Sequence, residues 1–176
     1  MQGPTHLLTG VLIQKALGKV QPLYLKYALI AFLASTSHGI LDKLARFTYH
    51  PSMPLTKDWF WISFHLFISF LTIFILIKYW GKYKLGLIFS VFPDFDWLVI
   101  NFSNLFSFQI PFWKEAILHN FFSNLLNSLF HLSFLSTLPS LTHKKRGAII
   151  EFALIATLFI IIYLTEKEKV KCEVNS

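Results

Sequence analysis

One cysteine is all this chain carries. Cys172 sits in a polar stretch near the C-terminal end, which excludes an internal disulfide and a cysteine-built metal cluster. Charge is scarce as well: 14% of the 176 residues are charged, against about 25% in an ordinary soluble domain. Acidic residues are rarer than basic ones, 9 against 16, for a net charge of +7. No GxGxxG, Walker A or GxSxG pattern occurs, so the sequence signatures of dinucleotide binding, P-loop phosphate binding and α/β-hydrolase chemistry are missing. No period of 20–50 residues marks a repeat array. The opening "MQGPTHLLTG" lacks a basic n-region, and His6 interrupts its apolar part, so it does not read as a signal peptide.

What is present is apolar and comes in blocks. Hydrophobic residues make up 55% of the chain, with 20 phenylalanines. This composition predicts an all-α protein, a polytopic helical membrane bundle of about four to six helices with one or two short or broken. Residues 1–165 read as a single helical membrane domain and 166–176 as a polar, disordered tail. Lys43/Arg46, Lys78/Lys82/Lys84 and Lys144/Lys145/Arg146 lie between the apolar runs, as basic residues do in membrane loops. No basic strip with interleaved aromatics stands apart, so nucleic acid is not an expected partner; the lipid bilayer is. "HKKRG" before the last span favours that loop on the cytoplasmic side. The expected location is integral and multi-pass, in the cytoplasmic membrane of a prokaryote.

Along the chain, residues 4–17 predict a short helix opened by Pro4 and ended by Gly18 and Pro22. Residues 23–46 predict a second helix, apolar to Ala34 and polar beyond. A loop with prolines at 51 and 54 follows. Residues 59–80 form a span with tryptophans at both ends, and 84–105 a further helix interrupted at Pro93. Residues 113–138 predict a fifth helix, and 147–164 the last span.

An ionisable group at membrane depth costs several kcal/mol, so its presence is a functional pointer. In "SHGILD", His38 and Asp42 stand four residues apart on one helix face. Such a pair can reach one divalent ion, or form a plain His–Asp hydrogen bond at a wet helix end. In "PDFD", Asp94 and Asp96 follow a helix-breaking proline; they can converge on a cation, or Asp94 can cap the helix beginning at Phe95. The fifth helix carries a polar seam of Glu115, His119, Asn120, Asn124, Asn127 and His131, which serves either a site or helix packing. His50, before Pro51, is placed to close a site built on His38 and Asp42. His65 reads as a buried histidine bonded to a neighbouring helix. His143 reads as solvated. Glu151, one turn after "KKRG", reads as facing headgroups or pairing with a lysine.

"THLLTG", "SHGILD" and "PDFD" together resemble the signatures of the membrane-bound metal-dependent hydrolase family of the YdjM type. That family is similar in its metal-ligand motifs to the zinc-dependent phospholipase C and P1-nuclease group. His6 matches its N-terminal His with a following Gly. Asp94 and Asp96 match its Pro-Asp-x-Asp motif. His38 and Asp42 match its Ser-His-x-x-x-Asp motif, with "FTYHP" as the trailing loop. The order differs, since "SHGILD" precedes "PDFD" here. The family's His-Arg-Gly…His-Ser motif is reduced to "LHNFFSNLL", which keeps His119.

The resemblance implies a metal-dependent hydrolase acting on a phosphoester or phospholipid-like substrate. His6, His38, Asp42, Asp94 and His119 are the implied ligands. Asp96 is a further ligand or the base that orients water, and Glu115 can take that second role. A His/Asp set without thiolate suits zinc, with manganese or iron as harder alternatives. The rival expectation is a non-catalytic helical membrane protein, a scaffold or a small transporter-like bundle, whose His, Asp and Asn residues serve packing. Convergence of His38, Asp42, Asp94 and His119 separates the two.

Overall fold

The computed structural model describes residues 1–51, 55, 57–106, 115–130 and 137–174, with side chains omitted for 123, 127–130 and 168–174. Pro54, His131 and part of the connection after Phe106 lie outside these residues. Every regular element among those described is helical: α1 (Gly3–Ala16), α2 (Leu23–Leu44), α3 (Trp59–Val91), α4 (Phe95–Leu105), α5 (Ile117–Phe130) and α6 (Gly147–Val174). Short 3-10 turns follow α1 (Leu17–Lys19), α2 (Ala45–Phe47) and α3 (Phe92–Asp94).

Two helical segments are long and apolar enough to cross a membrane, Trp59–Leu105 and Gly147–Lys167. Only 17% and 28% of their most apolar windows are buried, whereas the core helix of a soluble protein is mostly buried. Leu66, Phe70, Ile73 and Ile77 of α3 and Ile149, Ile160 and Leu164 of α6 point outward. Such outward apolar rows suit lipid.

Helix α1 lies inside the others. Pro4, Thr5, His6, Leu7, Leu8, Gly10 and Val11 are all buried, the pattern of a helix covered on every side. Leu7, Leu8 and Val11 join Ile75, Tyr79, Leu87, Ile155 and Ile162 in one core. Lys15 at the end of α1 donates to the Ile162 carbonyl at 3.0 Å.

The expected separation of 59–80 from 84–105 is present as a kink inside α3: Tyr83 (φ −127°, ψ 28°) leaves the helical region and joins two helical arms, the second ending at Val91. Gln14 explains it. Its Nε2 donates to the Lys82 carbonyl at 3.2 Å, and its Oε1 accepts from the Gly86 N–H at 2.7 Å. Those two groups are the i, i+4 pair that a regular helix joins directly. An inserted side chain of this kind is a recognised cause of helix kinks. Before the kink, α3 runs alongside α1 in the same direction, Gly3 facing Thr72 and Gln14 meeting Lys82. After it the chain returns along α1, with Gly10 against both Gly86 and Ser90. The return brings the Pro93 turn to the level of the polar end of α2.

Candidate metal centre

Helix α2 carries His38 and Asp42 on one face, one turn apart. Asp42 is the hub. Its Oδ2 lies 3.1 Å from His38 Nε2 and 3.8 Å from His119 Nδ1 of α5. Its Oδ1 lies 3.2 Å from His6 Nε2 and accepts from the Met1 amino nitrogen at 3.0 Å. Asp94, in the turn after Pro93, places Oδ1 3.2 Å from His38 Nε2. It occupies the cap position of α4, yet its side chain caps nothing there; it reaches toward His38 instead.

His38 is 1% exposed and its orientation is fixed from behind. Its Nδ1 lies 2.7 Å from the Ser90 carbonyl oxygen. A carbonyl only accepts, so Nδ1 carries the proton and Nε2 faces the two carboxylates. This is the arrangement by which backbone oxygens orient metal-ligating histidines. Nε2 lies between the two carboxylates, and the buried Nδ1 of His119 has no hydrogen-bond partner among the described residues. Two ring nitrogens beside two carboxylates are a donor set for a cation. One ligand atom each from His38, Asp42, Asp94 and His119 falls within 4.8 Å of the others. This group can hold a metal ion.

Charge reinforces the geometry. Burial pushes the His38 imidazole down, but the Asp42 and Asp94 carboxylates outweigh it and raise it to about 9. Burial pushes Asp42 up, yet the bonds from His38 and His6 hold it well below the usual carboxylate range. Burial lowers His6 despite its bond to Asp42.

The other expected residues are placed as follows. His6 stacks on His38, ring centroids 4.0 Å apart. It stands beside the four convergent residues, against Asp42, with Nε2 also 3.2 Å from the Met1 carbonyl oxygen. Asp96 is fully buried and accepts from the His119 backbone N–H at 3.0 Å. It thus holds the start of α5, a terminus whose N–H groups lack helical partners. Glu115 is exposed just before α5. His50 is exposed and meets the Gln2 side chain at 3.1 Å rather than the four convergent residues. His65 bonds the Trp61 carbonyl of its own helix at 2.8 Å, not a neighbouring helix. Asn120 and Asn124 are exposed, and α5 packs instead through Leu126, which meets α2 at Gly39.

Sequence reasoning missed two participants. The Ser90 carbonyl has no side-chain signal. Glu151, expected among headgroups or lysines, is fully buried against the start of α1. A cavity of about 180 Å³ opens beside the quartet, with Lys43, Pro93 and Phe122 in its wall.

Comparisons with protein-family models, with curated proteins and with solved structures find no match to this chain.

Proposed function

We propose that this chain is a multi-pass membrane-embedded, metal-dependent hydrolase acting on a phosphoester of lipid-like character, of the kind its YdjM-type motifs resemble. The observation that carries the reading is convergence: His38, Asp42, Asp94 and His119 come from three separate stretches of chain and bring their ligand atoms within 4.8 Å. Residues that only stitched helices together would have no need to meet at one point.

His38, Asp42, Asp94 and His119 would hold the ion, with Asp42 steadied by His6. The chemistry such an ion would supply is polarisation of a phosphoryl oxygen and a bound water of lowered pKa. The residues around it supply the rest. Ser90 fixes the His38 ring, and Asp96 fixes the backbone that presents His119. Lys43, in the cavity wall, offers a cation to an anionic head. Trp97, whose ring lies 6.3 Å from that of His119, is half exposed, and Phe121 is exposed on α5. A polar cavity with an apolar approach favours an amphiphile over a soluble phosphoester.

The second reading, a non-catalytic bundle, draws on Asp96, whose carboxylate ties α4 to the α5 backbone. It leaves the buried Nδ1 of His119 without a hydrogen-bond partner among the described residues.

The test is metal content by mass spectrometry on detergent-purified protein, wild type beside His38→Ala/Asp42→Ala. Stoichiometric zinc, manganese or iron in the wild type, lost in the double variant, is the expected result, followed by turnover of phosphoester lipids. A folded wild type that holds no metal and takes up none when it is added sinks the hydrolase reading.

A further inference from the structure

Helix α1 starts without a cap of its own. The Gln2 side chain makes no capping bond to α1, and no acidic residue lies in the first turn. Pro4 has no N–H, and the amides of Thr5 and His6 turn back to the Gln2 carbonyl. The missing acceptor comes from another helix. Glu151 of α6 accepts from the Gln2 N–H at 3.3 Å and from the Thr5 hydroxyl, both on Oε1. Glu151 is fully buried and Thr5 is 1% exposed. A buried carboxylate is costly unless its bonds repay the lost water, and a helix N-terminus is where such bonds are strongest.

The residue after Thr5 is His6, which meets Asp42 Oδ1 at 3.2 Å and stacks on His38. We infer that Glu151 is a positioning residue of the metal centre: by gripping Gln2 and Thr5 it sets the start of α1 and holds His6 against Asp42. Asp96 does the same for α5 and His119 from α4. His6 and His119 are thus each carried on a short helix whose start is tied down by a carboxylate from another helix. Both accepted bonds of Glu151 fall on Oε1, and among the described residues Oε2 has no hydrogen-bond partner. Glutamine therefore keeps the grip, and alanine loses it.

The inference deepens the metal reading, but one of its two tests is independent of metal. The first is amide hydrogen exchange by mass spectrometry over residues 3–8 of the full chain in detergent. Glu151→Ala should exchange roughly tenfold faster there, the loss of one cap, and Glu151→Gln should match wild type. The second is the visible spectrum and affinity of bound cobalt. Glu151→Ala should alter the spectrum and weaken binding about tenfold, as loss of outer-shell partners does, with glutamine restoring both. Thr5→Val removes one donor at constant volume and gives the milder form of each effect if the alanine variant does not fold. Exchange and cobalt spectrum unchanged in Glu151→Ala overturn the inference, as does a glutamine variant as loose as alanine. A wild type that takes up no cobalt sinks the metal reading, and the exchange measurement still decides the role of Glu151.

Discussion

Gly10 and Gly86 meet backbone to backbone: a Cβ on either would lie 2.2 Å from the carbonyl oxygen of the other. Small residues at helix crossings permit this closeness in membrane bundles. The contact sets how near α1 lies to the returning arm of α3. One turn before Gly10 stands His6, and one turn beyond Gly86 stands Ser90, the partner of His38. Gly10→Ala and Gly86→Ala should each destabilise the fold by roughly 3 kcal/mol, the upper end for overpacking, because the clash is with backbone and no side chain can swing away. Gly81→Ala is the control, since nothing lies within 4 Å of a Cβ there and alanine favours helix. Thermal unfolding in detergent decides. A Gly10→Ala variant that melts with the wild type would mean that the two helices are not in contact.

Gln14 bridges the pair of backbone groups that the kink at Tyr83 separates. Leucine at this position keeps most of the volume and removes both bonds. Each orphaned backbone group near the bundle surface costs about 1 kcal/mol once water has partly replaced the partner. Gln14→Leu should therefore lower stability by about 2 kcal/mol, and Gln14→Glu by less, since its carboxylate still accepts from the Gly86 N–H. Equilibrium unfolding of the two variants tests the order. Equal stability of wild type and Gln14→Leu would show that the kink needs no side chain to hold it.

How much of this was legible beforehand depends on what each residue needed. Helix positions followed from apolar runs, and the interruption at Pro93 followed from a residue that cannot continue a helix. The four convergent residues were all among those singled out, because His and Asp in apolar sequence are costly and therefore conspicuous. Partnerships between distant segments were not legible. Glu151 lies one turn from three basic residues, which resembles an interface position; only the docking of α1 against α6 buries it. Asp96 looked like a ligand because it neighbours Asp94, but α4 turns it toward the α5 backbone. The Asn seam of α5 had the spacing of a packed face, yet Leu126 makes the contact and Asn120 and Asn124 face outward.

The charge balance around His38 gives the metal reading a signature in pH. His38 faces Asp42 and Asp94, with His6, His119 and the Met1 amino group close by. Without metal its imidazole is raised from 6.5 to about 9, so the folded state binds a proton that the unfolded chain has released. The stability this supplies is complete below pH 6.5 and is lost as pH rises through about 9. His6 acts oppositely. Burial lowers it, so the folded state resists a proton, and stability falls as pH drops below 6.5. Asp42, held low, adds stability above its ordinary value of 3.8 and loses it below. Metal-free protein should thus melt at its highest temperature near pH 6.5 and lose stability toward 9. A bound ion needs His38 without its second proton, so metal and proton compete, and the alkaline loss should disappear with metal present. Melting in chelator and in zinc across that range reads the difference. Chelated protein that is as stable at pH 9 as at 6.5 would show that His38 does not hold the extra proton between Asp42 and Asp94. Curves of the same slope with and without zinc would show that no ion binds at this ring.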